Sequence, residues 1–215
     1  MQAAATVIAL PTQVVKSRAR QVRTRISYMD GVQLEKFLRT AKEHGPREHA
    51  MFLFAAAHGA RASEICNLRI SDVNFKTEQV HVARLKGSLD STQTLLRVKG
   101  SNLFNEMVAL KAWLDVRKPD ADDYVFNSQK STRLNRVTVY KLFRAIARQA
   151  DLPESLQHPH TLKHTAAMLM VHAGANAFLI RQHLGHRSFD STLKYVNPSD
   201  ADASAASAKA FSQVF

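Results

Sequence analysis

Three short segments carry side chains able to bind an anion, move a proton or attack an electrophile. His58-Gly-Ala-Arg61-Ala-Ser-Glu64-Ile sets a guanidinium three residues before a carboxylate. His160-Thr-Leu-Lys163-His164-Thr sets two imidazoles four residues apart with an ammonium between them. Leu184-Gly-His186 precedes a phenol, Tyr195, by nine residues. Taken singly, each has a plain structural role. An Arg at a helix start is commonly a surface ion pair, and a lone tyrosine most often packs half-buried. His160 and His164 have the i, i+4 spacing of a zinc pair. The segment lacks the Glu of a helical zinc-protease motif, however, and no carboxylate follows nearby. Glu64 reads as a support for Arg61 by hydrogen bonding or helix-start electrostatics. His164 reads as a packed or supporting residue rather than a catalyst, and Cys66, between Ile65 and Leu68, as core filler.

The elements that must hold these segments follow from apolar spacing and turn residues. Structure is expected from about Ser27. Asp30 is placed to cap a helix whose apolar face is Leu34, Phe37 and Leu38. Gly45-Pro46 punctuates, and a second helix carries Met51, Phe52, Phe54 and Ala55 up to a break at His58-Gly59. A third starts near Ala62, with Ile65 and Leu68 on one side. From Gln79 the period changes to two, Val80 and Val82 alternating with polar residues as in a strand. Lys86-Gly87-Ser88 reads as a turn and Thr92–Val98 as the returning strand. A helix is expected over Asn105–Val116 and a short third strand at Tyr124–Phe126. Over Asn135–Ala150, Val139, Leu142, Phe143 and Ile146 make one apolar stripe. Arg136, Lys141, Arg144 and Arg148 lie mostly off it. Six basic residues and no acid fall between Asp123 and Asp151. A basic outer side on an amphipathic helix suits the DNA backbone or major groove, with a solvated charged face as the plainer alternative. Arg84 and Arg133 are grouped with that helix as DNA contacts. Further helices are expected at His160–Ala173 and Ala177–Leu184. The Ala/Ser-rich stretch from Ala201 to Ala210 is a weak helix or a disordered tail. The fold class is mainly α with a small antiparallel β-sheet (α+β). Residues 1–26 form a basic arm, 27–200 the main domain and 201–215 the tail.

Composition narrows the partners. Of 215 residues, 30 are Lys or Arg against 18 Asp or Glu, a formal charge of +12, so polyanions and above all nucleic acid are the expected partners. Hydrophobic residues make up 45%, enough for a real core. Cys66 is the one cysteine, which excludes an intrachain disulfide and a cysteine-based zinc site and fits a reducing, cytoplasmic compartment. The longest apolar run, Ala50–Ala57, is far short of the roughly 20 residues that span a bilayer, and no membrane partner is expected. Residues 3–10 lack a preceding positive region, so no signal peptide is read. Lys16, Arg18, Arg20, Arg23 and Arg25 all precede the first acid, Asp30, and read as a mobile basic arm or a solvated terminus.

In order and spacing these segments resemble the tyrosine recombinases, the phage-integrase-type family, over about Ser27–Pro198. The resemblance rests on Arg61-Ala-Ser-Glu64, a hairpin lysine, the box His160-Thr-Leu-Lys163, Leu184-Gly-His186 and Tyr195. Arg61-Ala-Ser-Glu-Ile-Cys-Asn-Leu-Arg-Ile-Ser-Asp looks particularly like the small invertases of fimbrial phase switches, which consist of little more than the catalytic domain. Larger relatives carry an N-terminal core-binding domain; here the basic arm stands in that place.

The resemblance implies a tyrosine recombinase catalytic-domain-like fold and a chemistry. Tyr195 would attack a DNA phosphodiester and form a covalent 3′-phosphotyrosyl link. Its phenol has an ordinary pKa near 10, so the site must help to remove the proton. Arg61 and Lys163 would stabilise the charge gathering on the non-bridging oxygens, with His186 donating a further hydrogen bond. His160 would act as general base toward the tyrosine, and Lys86 would protonate the leaving 5′ oxygen. No metal, nucleotide or other cofactor is implied, because the phosphotyrosine link conserves the bond energy for rejoining. One position departs from the family pattern: the box usually reads His-x-x-Arg, and Lys163 keeps the charge without the planar fork. A working variant site is the favoured reading; a slowed enzyme or a DNA-binding remnant are the others, and the filled state of the remaining positions speaks against the remnant.

The leading expectation is thus a site-specific, metal-independent DNA strand transferase acting in integration, excision or inversion. The alternatives are a non-catalytic DNA-binding protein derived from one, and a topoisomerase-like relaxase that would act without sequence preference. The resemblance further implies a monomer free in solution, a homo-tetramer on paired double-stranded DNA sites and association with the nucleoid. Log affinity should fall with log salt by about 0.9 per phosphate neutralised.

Overall fold

Asp30 opens the first helix through a reciprocal cap: its carboxylate accepts the Gln33 N–H at 2.8 Å, and the Gln33 side chain accepts the Asp30 N–H at 3.1 Å. In this computed structural model, which describes residues 26–212 apart from Lys86, Asp120, Gln129, Ser131, residues 197–199 and the Asp202 side chain, that helix is α1, Gly31–His44. The predicted basic arm lies outside the described residues except for Ile26. Pro46 begins α2, Pro46–His58, at the position where its missing N–H costs nothing. Helix α2 is apolar nearly all round and is the central element, with Met51, Phe52, Leu53, Phe54 and Ala55 fully buried. Phe37, Phe52 and Phe143 meet there with ring centroids 4.7–5.6 Å apart.

Helix α3, Ala62–Ile65, is shorter than its apolar spacing predicts. Leu68 leaves the helix because its carbonyl accepts the Val125 N–H at 2.8 Å, and Ile70 N–H bonds to Asp123 O at 2.8 Å. A 3-10 turn at Ile70–Asp72 leads into a three-stranded antiparallel sheet of β1 (Val73–Asn74), β2 (Gln79–Val82) and β3 (Ser91–Thr94), in that order. Val80 faces Val73 on one side and Gln93 on the other. The third strand is therefore Val73–Asn74 and not Tyr124–Phe126. Tyr124 makes only an isolated bridge to Arg69, while Val125 and Phe126 serve as core. The returning strand is also shorter than predicted. Past Thr94 the chain is drawn away: Leu95 N–H bonds to Glu78 O, and Leu96 N–H to the Glu106 carboxylate.

Helices α4 (Glu106–Leu114) and α5 (Arg136–Gln149) begin one residue after Asn105 and Asn135, whose side chains cap them. Helix α5 buries Val139, Phe143 and Ile146 on the predicted stripe. Then come α6 (His160–His172), α7 (Ala177–Leu184), α8 (Asp190–Leu193) and α9 (Asp200–Ser212). The Ala-rich tail is thus helical, as its composition favours. The fold is mainly α with a small antiparallel sheet. A second, smaller apolar cluster of Ala166, Ala167, Ile180, Leu184 and Tyr195 joins α6, α7 and the segment after α8.

Candidate active site

The end of α2 is fixed by Gly59, whose φ of +57° closes the helix in the left-handed region. A Cβ there would stand 2.4 Å from Leu184 Cδ2, so only glycine lets α7 approach. Two residues on, Arg61 precedes α3. Its backbone N–H donates to Glu64 Oε2 at 2.9 Å, and its guanidinium donates to Glu64 Oε1 at 2.7 Å and Ser88 Oγ at 3.2 Å. The Arg61 side chain stays 27% exposed. Burial by itself would raise the Glu64 carboxyl, but the Arg61 N–H and the Arg84 and Arg61 charges outweigh it and hold Glu64 below its usual value.

Arg84 corrects the sequence reading. Its side chain is fully buried, so it does not face DNA. Nη1 donates to Gly59 O (3.2 Å) and Glu64 Oε2 (3.1 Å), and Nη2 donates to His58 O and His183 O (both 2.7 Å). It clamps the end of α2, Glu64 and the end of α7 together from behind the site. Strand periodicity alone gave no sign of this, because its partners come from three distant segments. Lys86, on the same hairpin, lies outside the described residues.

Helix α6 supplies three further groups. Lys163 is 2% exposed and donates from Nζ to Gly59 O at 3.1 Å and Leu184 O at 2.8 Å. Burial, with the Arg84 and Arg61 charges, lowers it to about 7, against a smaller upward pull from Glu64. An ammonium has three N–H donors, so one remains beyond the two carbonyls. His160, one turn from His164, is exposed at the rim with its ring edge-on to that of His164 at 4.6 Å. With Arg61, Arg136, Val137 and Tyr140 it lines a cleft of about 450 Å³.

Helix α7 ends at Gly185, φ +65°, where a Cβ would meet Leu89 O at 2.5 Å. That turn aims His186 inward, and its Nδ1 pairs with Thr192 Oγ1 at 2.9 Å. Burial and the Lys163 and Lys194 charges push His186 down to about 3, so it is neutral near pH 7. Tyr195 follows α8 and is 6% exposed. Its ring stacks on His186 at 6.2 Å with a 9° tilt, and Lys194 Nζ lies 5.0 Å from the ring centroid. Its hydroxyl pairs with His164 Nδ1 at 2.7 Å. Burial raises Tyr195 to about 12, opposed by Arg61.

The structure therefore brings Arg61, Lys163, His186 and Tyr195 together, with His160 beside them. His164 is the residue that the sequence reading set aside. Its four-residue spacing from His160 put both on one face of α6, but the contact with Tyr195 spans 31 residues and has no local signature. Lys194 was likewise missed. His58 also matters: buried, it pairs with Gln93 (2.7 Å) and Glu106 (3.0 Å), tying the end of α2 to β3 and α4. On α5, Arg136, Lys141 and Arg148 are exposed, as is Arg133 before it. Arg144 is half-buried and lies 5.9 Å from the Tyr140 ring.

A helical domain with cations, imidazoles and a phenol gathered at the end of its central helix defines the class, and residues 27–202 match the family model described as the phage integrase family. This chain belongs to that family, the tyrosine recombinases. It is 33% identical over 174 residues to the type 1 fimbriae regulatory protein FimB of Escherichia coli strain K12, covering 79% of this chain and 83% of that one. The crystal structure of XerA recombinase superposes with a TM-score of 0.69 at 25% identity, over 90% of this chain and 66% of that one. The XerH site-specific recombinase bound to difH substrate, in a pre-cleavage complex, gives a TM-score of 0.70 at 20% identity, over 86% and 55%. The chain thus spans two thirds or less of those two solved recombinases. Among the described residues, no helix is long and apolar enough to cross a membrane.

Proposed function

We propose that this chain is a site-specific DNA recombinase that cleaves and rejoins strands through a covalent 3′-phosphotyrosyl link at Tyr195. The observation that carries the reading is an imbalance of charge around that phenol. Arg61, Arg84, Lys163 and Lys194 all act on the groups of the site, and Glu64 is already shared by the two arginines. Lys163 and Lys194 form no ion pair with a carboxylate among the described residues. Such a site awaits an anion, and a DNA phosphate with Tyr195 as its attacker fits.

In this reading Arg61 and the third N–H of Lys163 hold the non-bridging oxygens. His186, its Nδ1 engaged by Thr192, offers Nε2 to the same group. Lysine then suffices at position 163 because the carbonyls of Gly59 and Leu184 fix its ammonium in place of a guanidinium fork. Lys86 protonates the leaving 5′ oxygen. Protein cations supply the charge stabilisation, so the route needs no metal. Arg133, Arg136, Lys141, Arg144 and Arg148 track the duplex. The working assembly is a homo-tetramer on paired sites, with α9, exposed along its described side chains, as the segment exchanged between protomers.

The test is covalent trapping. Wild type and Tyr195→Phe are expressed in cells, the lysate is denatured, and protein-linked DNA is recovered and sequenced. Reproducible sites from wild type alone are the expected result. Adducts from Tyr195→Phe would overturn the nucleophile, and no adduct from either, with binding retained, would point to the non-catalytic alternative.

A further inference from the structure

The hydroxyl that must lose its proton touches one side chain only among the described contacts, and that side chain is His164 (Nδ1 to Oη, 2.7 Å). The other nearby groups hold Tyr195 elsewhere. His186 stacks on the ring face while its Nδ1 is engaged by Thr192, and Lys194 lies over the ring. His160 reaches the edge of the His164 ring and forms no hydrogen bond to the hydroxyl. We infer that His164 is the catalytic base that takes the Tyr195 proton at strand cleavage and returns it at rejoining. This rests on the strand-cleavage reading and moves the base one helical turn from His160, where the resemblance put it.

The step balances. The proton passes from Tyr195 Oη to His164 Nδ1 as Oη bonds to phosphorus. The bond from phosphorus to the 5′ oxygen breaks, and that oxygen takes a proton from Lys86. The products are a 3′-phosphotyrosyl link, an imidazolium at His164, a 5′ hydroxyl and a neutral lysine. Rejoining runs the same transfers backward, with His164 protonating the departing tyrosine. The step requires Nδ1 to be the acceptor, hence the tautomer with hydrogen on Nε2. Burial and the charges of His160 and Lys194 lower His164 to about 4, which leaves the ring neutral and able to accept near pH 7.

Two measurements test this. Histidine 15N spectra of the free protein, assigned with His164→Gln, should show an unprotonated Nδ1. A protonated Nδ1 at neutral ring charge would overturn the inference, since that nitrogen would then donate to the hydroxyl. Cleavage is then measured on a duplex oligonucleotide of the site recovered by trapping, for wild type, His164→Ala, His164→Gln and Lys86→Ala. Both His164 variants should cleave about 10²–10⁴-fold more slowly with DNA affinity kept, the usual worth of a positioned base. Added imidazole should restore part of the rate to His164→Ala and none to Tyr195→Phe. A 5′-bridging phosphorothiolate, whose leaving group needs no proton, should rescue Lys86→Ala and not His164→Ala. Wild-type or faster cleavage by His164→Ala, or rescue of it by the phosphorothiolate, would overturn the assignment. Cleavage by wild type but not Tyr195→Phe, together with an active His164→Ala, sinks this inference alone. If wild type forms no adduct, the strand-cleavage reading itself fails and this inference falls with it.

Discussion

Replacing Arg84 by alanine should unfold this protein more readily than any single change to its basic surface. The buried guanidinium donates to one carboxylate oxygen and three backbone carbonyls. The loss is not the sum of four bonds. Gly59 O keeps the Lys163 ammonium, His183 O keeps the Gln93 amide, and Glu64 keeps Arg61. What remains uncompensated is the His58 carbonyl and half of the charge balance of Glu64, whose side chain is also fully buried. Breaking a buried pair by removing one partner costs about 3–5 kcal/mol. The surviving Arg61 contact places this case toward the lower end. An orphaned carbonyl adds about 1–3 kcal/mol, part of which overlaps the first figure. The expected loss is about 4 kcal/mol by those magnitudes. At roughly 2–4 °C per kcal/mol for a chain of this size, Tm falls by about 8–16 °C. Urea unfolding followed by the fluorescence of Trp113, the one tryptophan, measures it directly. Arg84→Lys, which keeps the charge but reaches fewer acceptors, should fall between. A loss below about 1 kcal/mol, well under the cost of breaking a buried pair, would refute the clamp. If that small loss came with weaker, less salt-sensitive DNA binding, Arg84 would be a DNA contact, as the sequence reading had it.

Other outcomes follow from the same packing. Gly59→Ala should lose about 2–4 kcal/mol, from a left-handed backbone that disfavours a side chain and from overpacking against Leu184. Gly31→Ala, where a Cβ meets nothing, should stay within about 1 kcal/mol in the same urea assay. Lys163 sets a pH dependence. Its folded value of about 7 lies below the ordinary value near 10.4, so below pH 7 the ammonium is charged in both states and its burial penalty is complete. Between about 7 and 10 only the unfolded chain holds the proton, and stability rises with pH by up to about 1.4 kcal/mol per unit. Arg84, Arg61 and Lys194 push the value down and Glu64 pulls it up. Lys163→Met should lack that rise, and unfolding curves at pH 6.5, 8 and 9.5 for both proteins will show whether it does. For the same reason, wild-type affinity for a DNA duplex should weaken above pH 7 more than that of Lys163→Arg, measured by fluorescence anisotropy at fixed salt.

Most of the fold is legible in the sequence because its cues are local. The Asp30 cap, Gly45-Pro46, the left-handed Gly59 and Gly185 and the stripe on α5 each act within one or two helical turns. Two of the errors have a common cause. Tyr124–Phe126 has strand-like residues, and Leu68 fits a helical period, yet each is claimed by backbone bonds to the other's segment. Local propensity cannot see a partner more than fifty residues away.

The site divides in the same way. The sequence indicates which segments matter through the family resemblance: Arg61, the His160–Lys163 box, Leu184-Gly-His186 and Tyr195 come from short motifs whose order and spacing carry it. The sequence also determined the charge, and so the kind of partner. Only the tertiary structure decided how those groups are used. Arg84 and Arg148 look alike along the chain, but burial among carbonyls turned one into a clamp and exposure left the other on the surface. His160 and His164 share a helix face, and it was the path of the chain after α8 that laid the Tyr195 hydroxyl against His164. Burial also reset the Lys163 ammonium, because a charge taken from water depends on every dipole and ion folded around it, and those come from segments that meet only once the chain has closed.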